Sequence, residues 1–85
     1  SISHISILND RGRLLFDVGE EESRLSYATQ LPNILRVCIR EGKEYVGSVG
    51  QRNGKLYVLM AFPLRENPQN NSVSGVLLAE MKLDS

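Results

Sequence analysis

Two apolar runs, Leu56–Phe62 and Val73–Leu83, joined by the polar stretch Arg65–Ser72, constrain this chain more than any other feature. Pro63 closes the first run, and the loop holds Pro68 together with Asn67, Asn70 and Asn71. Both runs are short, partly β-branched or aromatic, and bounded by turn-forming residues, the pattern of strands rather than of a helix. They read as a long-loop β-hairpin at the centre of an antiparallel sheet. Side chains alternate across a strand, so Leu56, Val58, Met60 and Phe62 share one face while Tyr57, Leu59 and Ala61 share the other. In the second run Val73, Leu77, Ala79, Met81 and Leu83 oppose Val76 and Leu78, with Glu80 and Lys82 further along. A sheet buried on one side alone alternates more cleanly than this. Both faces are apolar in the middle, and both need cover.

The rest of the chain supplies one helix and three more strands. Ile2–Leu8 alternates in part, with Ile5 and Ile7 on one face and His4, Ser6 and Leu8 on the other; His4 reads as a strand surface residue. Asn9-Asp10-Arg11-Gly12 is a turn with glycine available for positive φ, and Arg13–Asp17 returns as the second strand. Val18–Ser26 is polar and carries Glu20-Glu21-Glu22, which reads as a solvated loop or first helical turn. Leu31, Ile34, Leu35, Cys38 and Ile39 recur at helical spacing, with Pro32 in the first turn and Gly42 at the C-terminal cap. Arg36 and Arg40 point away from that stripe into solvent, and Cys38 within it is a small core residue. Glu44–Gln51 is the third strand, and Asn53-Gly54 turns it into the fourth. Pro63 has no amide to donate and marks a strand end or an edge position. The expected fold is α+β: a five-stranded antiparallel sheet with one principal helix, in the order β-β-α-β-β-β. One short helix covers one face. The other calls for a flanking helix, a second subunit, or both, and a homodimer through the apolar sheet face or a flanking helix is the expected assembly.

At 85 residues the chain is a single domain, residues 1–85, that buries roughly 60–65% of its unfolded surface. Ten Lys and Arg balance ten Asp and Glu. Arg11 and Arg13 flank a glycine, and Arg36 and Arg40 are separated by apolar residues, so no basic stripe marks a nucleic-acid partner. No run approaches the roughly 20 apolar residues of a membrane-spanning helix, and no signal peptide opens the sequence. One His and one Cys, far apart, suggest no metal site. No phosphate loop, nucleophile elbow or paired carboxylate appears, so an enzyme is not expected and no cofactor is implied. Asn70-Asn71-Ser72 matches a glycosylation sequon, but such triplets arise by chance and it reads first as a polar hairpin loop.

Gly47, Ser48 and Gly50 leave little bulk in the third strand. Either they permit twist or a bulge, or they open a ligand pocket under the helix. In the second case Tyr27, Tyr45, Ser48 and Tyr57 supply hydroxyls that order a small-molecule ligand in an otherwise apolar site.

The sequence Ile7-Leu8-Asn9-Asp10-Arg11-Gly12-Arg13 resembles the first hairpin of Cache domains, the PAS-like extracytoplasmic sensing modules of bacterial receptors. Gly42, Tyr45 and Val46 resemble the step into that family's third strand, and Ala61-Phe62-Pro63-Leu64 the end of its penultimate strand. Gly75-Val76-Leu77-Leu78-Ala79, with Leu83, is similar to its closing strand. The resemblance covers about Ile5 to Asp84 and implies a PAS-like sensory domain outside the cytoplasmic membrane. The parent protein would then be a membrane-anchored histidine kinase, chemoreceptor or cyclic-nucleotide enzyme. Cache domains open with a long helix packed across the sheet, whereas this chain starts almost at the first strand. It also has no Trp, so the clustered Tyr, Arg and Trp of amino-acid-binding members are absent and no ligand class carries over by position.

Overall fold

The computed structural model of the chain describes residues 1–20 and 27–83. Its strands are β1 (Ile2–Asn9), β2 (Leu14–Gly19), β3 (Tyr45–Arg52), β4 (Lys55–Leu64) and β5 (Gly75–Lys82). They form one antiparallel sheet in the order β2-β1-β5-β4-β3, so the long-loop hairpin contributes the central strand and its neighbour. Between β2 and β3 lies the helical segment: a 3-10 turn at Ala28–Gln30, an α-helical turn α1 (Leu31–Ile34), and a π-helical stretch at Leu35–Arg40. The expected α+β order β-β-α-β-β-β is observed.

Local chemistry explains the turns. Asn9 Oδ1 accepts from the backbone amides of Arg11 and Arg13, both at 2.9 Å, while Gly12 takes φ +84°. This is an Asx-type closure of the first hairpin. Asn53 and Gly54 both have positive φ, 53° and 76°, the requirement of a two-residue type I′ connection. Pro63 lies inside β4 opposite Val76, yet the β3 pairing stops at Ala61. Its missing amide therefore falls where β4 has no neighbour on the β3 side, and the edge position expected of it is met locally.

The helix departs from the simple pattern in its second half, where winding widens to i→i+5. The Glu41 amide reaches the Arg36 carbonyl at 3.1 Å, and the Arg36 side chain pairs with Glu41 at 2.9 Å. The apolar stripe survives because Ile34 and Cys38 still fall on one face. They are fully buried against Leu8, Leu59, Ala61, Val76 and Leu78, the core of the domain. Arg36 and Arg40 face solvent as expected. Burial pushes the Cys38 thiol above its ordinary pKa, because the low-dielectric core disfavours thiolate.

The sheet's two faces are treated differently. Under the helix lie Leu8, Leu59, Ala61, Val76 and Leu78. On the opposite face the ladders align Phe16 with Ile7, Ile7 with Leu77, and Leu77 with Phe62. A second row aligns Val18, Ile5, Ala79, Met60 and Val46 in register. Phe16, Val18, Val46 and Val49 are more than half exposed, and nothing among the described residues covers this face.

Adjacent residues on β5 separate the two environments. Leu78→Ala should cost about 2–5 kcal/mol, the range for truncating a packed core residue, whereas Leu77→Ala on the open face should cost far less. Urea denaturation of the two variants checks this. Cys38 should label with a thiol reagent at pH 8 only through unfolding, at a rate that rises with urea. Its contribution to stability is present below the ordinary thiol pKa of about 8.5 and is lost as pH rises from there through the raised pKa of the folded state. Immediate labelling in native buffer would contradict the burial.

Candidate functional site

The helix covers only part of the inner face. Beyond it the same face turns polar: His4 and Ser6 on β1, Asp17 on β2, Glu80 on β5, and Arg52 at the end of β3. His4, Ser6 and Glu80 are 4%, 1% and 3% exposed, so each must find its partners within the protein.

Glu80 does so from both sides. A one-residue bulge at Ser3, where β1 gains a residue against β5, lets Ser3 Oγ donate to Glu80 Oε1 at 2.8 Å. From the other side Arg52 donates to both carboxylate oxygens, Nη2 to Oε1 at 2.8 Å and Nη1 to Oε2 at 3.2 Å. Arg52 also reaches Glu20 at 3.4 Å, and its guanidinium carbon lies 3.9 Å from the centroid of the Tyr57 ring, a cation–π contact. Hydrogen bonding to Glu80 raises the already high pKa of Arg52, against the lowering effect of burial.

Arg52 reaches this face because β3 carries its own irregularity. Val46 pairs with Met60 but Val49 pairs with Val58, so β3 spends one extra residue around Gly47-Ser48. Without that bulge Arg52 would fall on the face opposite Tyr45. With it, Gly50 and Arg52 join the inner face. At Gly47 the Gln30 side-chain amide occupies the space a Cβ would take, so a larger residue there would push that amide aside. The small residues form a bulge, and Ser48 and Gly50 border a cleft.

That cleft, of about 140 Å³, opens at the junction of the covered and polar halves. Gln30, Ser48, Gly50, Arg52, Tyr57, Leu59 and Glu80 line it. Its size is close to that of a cavity that admits a benzene-sized molecule, roughly 150 Å³. Of the expected site residues, Ser48 and Tyr57 border it. Tyr45 and Tyr27 do not: both pack against the core, and Tyr45 Oη donates to Gln30 Oε1 at 3.0 Å. Tyr45 therefore touches the site through Gln30. The sequence reading missed Gln30, Arg52 and Glu80. Glu80 had a visible signal, a carboxylate in phase with Val76 and Leu78; Arg52 had none without the bulge.

The second polar cluster corrects another expectation. His4 is buried rather than on the surface. Its Nδ1 lies 2.7 Å from the Glu20 carbonyl oxygen, and its Nε2 faces Asp17 Oδ1. Ser6 Oγ donates to the same Asp17 oxygen at 2.8 Å. No nucleophile–base pair results, because the hydroxyl is turned to the carboxylate and not to the imidazole. Glu20 connects the two clusters, its carbonyl facing His4 and its carboxylate Arg52. The remainder of the expected acidic run, Glu21 and Glu22, lies outside the described residues. Among the described residues no group of three His, Cys, Asp or Glu is placed to hold a metal ion, and no helix is long and apolar enough to cross a membrane.

Arg52→Ala leaves the Glu80 carboxylate buried without its guanidinium and should cost about 3 kcal/mol, the lower end of the range for breaking a buried pair, since Arg52 is partly exposed. Replacing both residues by Met should recover most of that loss. Chemical denaturation of the single and double variants tests it; a single variant as stable as the parent would show the pair to be energetically idle.

No protein-family model, curated protein or solved structure matches the chain. Its function is therefore inferred from the geometry of the cleft and from the resemblance in the sequence.

Proposed function

We propose that the chain is a PAS-like sensory domain of the Cache type, whose cleft binds a small ligand outside the cytoplasmic membrane on behalf of a membrane-anchored signalling protein. A histidine kinase, a chemoreceptor or a cyclic-nucleotide enzyme is the expected output. One observation carries the reading: a cleft of about 140 Å³ at the edge of the helix, bordered by a buried carboxylate, a guanidinium and an aromatic ring. Charged groups held in a concave site and aimed at one space are what small-ligand recognition requires. The resemblance at Asn9–Arg13, Ala61–Leu64 and Gly75–Ala79 supports the same reading independently.

The cleft also has a route for a signal. Glu80 belongs to β5, the central strand, which is paired on both sides. A ligand that prefers one arrangement of Glu80 and Arg52 shifts β5 against β3 by its difference in affinity for the two states. No chemical step is assigned to the domain.

A second reading, a ligand-free interaction module, is favoured by a different observation, the apolar face that runs from β2 across to β3. In that reading two copies pair through the sheet.

A thermal-shift screen against organic acids, amino acids, amines and divalent ions separates the two. Ligand at about a hundredfold over its dissociation constant stabilises the fold by roughly 2.7 kcal/mol, a shift of several degrees for a domain this small. The expected result is a hit that is lost on Tyr57→Leu in a variant that still folds. A silent panel, with a melting temperature that climbs with protein concentration, supports the dimerising module instead.

A further inference from the structure

The contacts of Arg52 decide what the cleft accepts. Two carboxylates, Glu80 and Glu20, converge on one guanidinium, Arg52, and the charged lining of the cleft itself is the Arg52–Glu80 pair. Glu20 and Lys82, the latter facing Tyr57 across the β4–β5 ladder, both lie outside the lining. An incoming anion meets an arginine whose Nη donors already go to carboxylates, and it meets those carboxylates as well. An incoming cation meets neither obstacle.

Arg52 itself displays the fit. Its planar cation lies over the Tyr57 ring, 3.9 Å from the centroid, with two hydrogen bonds to Glu80 at 2.8 and 3.2 Å. An aromatic face with a carboxylate at its edge is how proteins hold organic ammonium and guanidinium groups. Resting on the sensory reading above, we propose that the cleft takes a small organic monocation, an alkylammonium or alkylguanidinium, which displaces Arg52 from Glu80 and the Tyr57 face. Arg52 is then a tethered occupant of the site. The exchange replaces one cation by another, so Glu80 never stands uncompensated in its buried position. Space for it exists on the β3 side, where no atom lies within 4 Å of a Cβ built on Gly50. Displacing Arg52 unties the outermost strand, β3, from the central strand and from Glu20 at once.

Calorimetric titration with methylguanidinium chloride, methylammonium chloride and sodium acetate at low ionic strength tests the proposal. The cations should bind saturably to the parent protein and acetate should not. Arg52→Gln, which keeps the stem and an amide donor toward Glu80, should bind methylguanidinium about tenfold tighter or more, because a competitor held at an effective millimolar concentration has gone. Glu80→Gln should abolish binding in either background. Should Arg52→Gln fail to fold, Tyr57→Leu gives the second readout, a weakened cation affinity with the charge pair intact. Saturable acetate binding lost on Arg52→Gln, with none of the cations, overturns the cation assignment and leaves the sensory reading standing. Absence of binding by all three probes in the parent and in Arg52→Gln also overturns the assignment, while a hit of another class in the thermal screen still preserves the sensory reading.

Discussion

A carboxylate on the central strand of a sheet, 3% exposed, has to be compensated where it stands, and in this domain the compensation comes from the sheet's far edge. Glu80 and Arg52 are separated by the whole of β4, and the contact between them governs the inner face. It fixes the end of β3 against β5, draws the Tyr57 ring under the guanidinium, and ties in Glu20 at the end of the described part of the β2 connection. Burial of such a pair is weak ground for stability, since desolvation offsets much of the attraction. Its value lies in specification: one arrangement of three strands satisfies it, and that arrangement leaves a cleft beside it.

The inner face is thereby divided by chemistry. Ile34 and Cys38 cover the apolar half, where Leu8, Ala61, Val76 and Leu78 need only volume and exclusion of water. The polar half is closed by side chains from the strands themselves, Ser3, His4, Ser6 and Asp17 among them. A cleft forms where the two regimes meet, because a helix of this length ends before the sheet does. Two bulges, at Ser3 and at Gly47-Ser48, turn the polar groups inward. The outer face has no such division; it is apolar through its middle, with Asn9 and Gln51 at its ends. In the proposed sensory reading the inner face receives the ligand, and the outer face is available for assembly of the parent protein.

Much of the fold was legible in the residues. Asn9 and Gly12, and Asn53 with Gly54, announce two hairpins because few other residues adopt those backbone conformations. The alternation in Leu56–Phe62 and Val76–Leu78 correctly divides covered from uncovered positions. The site was less legible. Ser48 and Tyr57 border the cleft, but Tyr27 and Tyr45 serve the core, and a tyrosine in either role looks alike in sequence. His4 reads as a surface residue on type alone, whereas its phase with Ser6 and Leu8 puts it on the buried face, where Asp17 and the Glu20 carbonyl receive it.

The sequence by itself determined the local pieces: which stretches extend, where the chain reverses, which side chains share a face, and that one helix leaves a face of the sheet uncovered. These follow from short-range sterics and from a period of two, both of which are written in consecutive residues. The tertiary structure alone decided strand order, the widened turn of Leu35–Arg40, and the extra residue at Gly47-Ser48. That single residue carries Arg52 from one face of the sheet to the other and brings it to Glu80. A bulge is fixed by what packs on the strand from elsewhere in the fold, here Gln30 beside Gly47 and Glu80 against Arg52. No period read along the chain contains it.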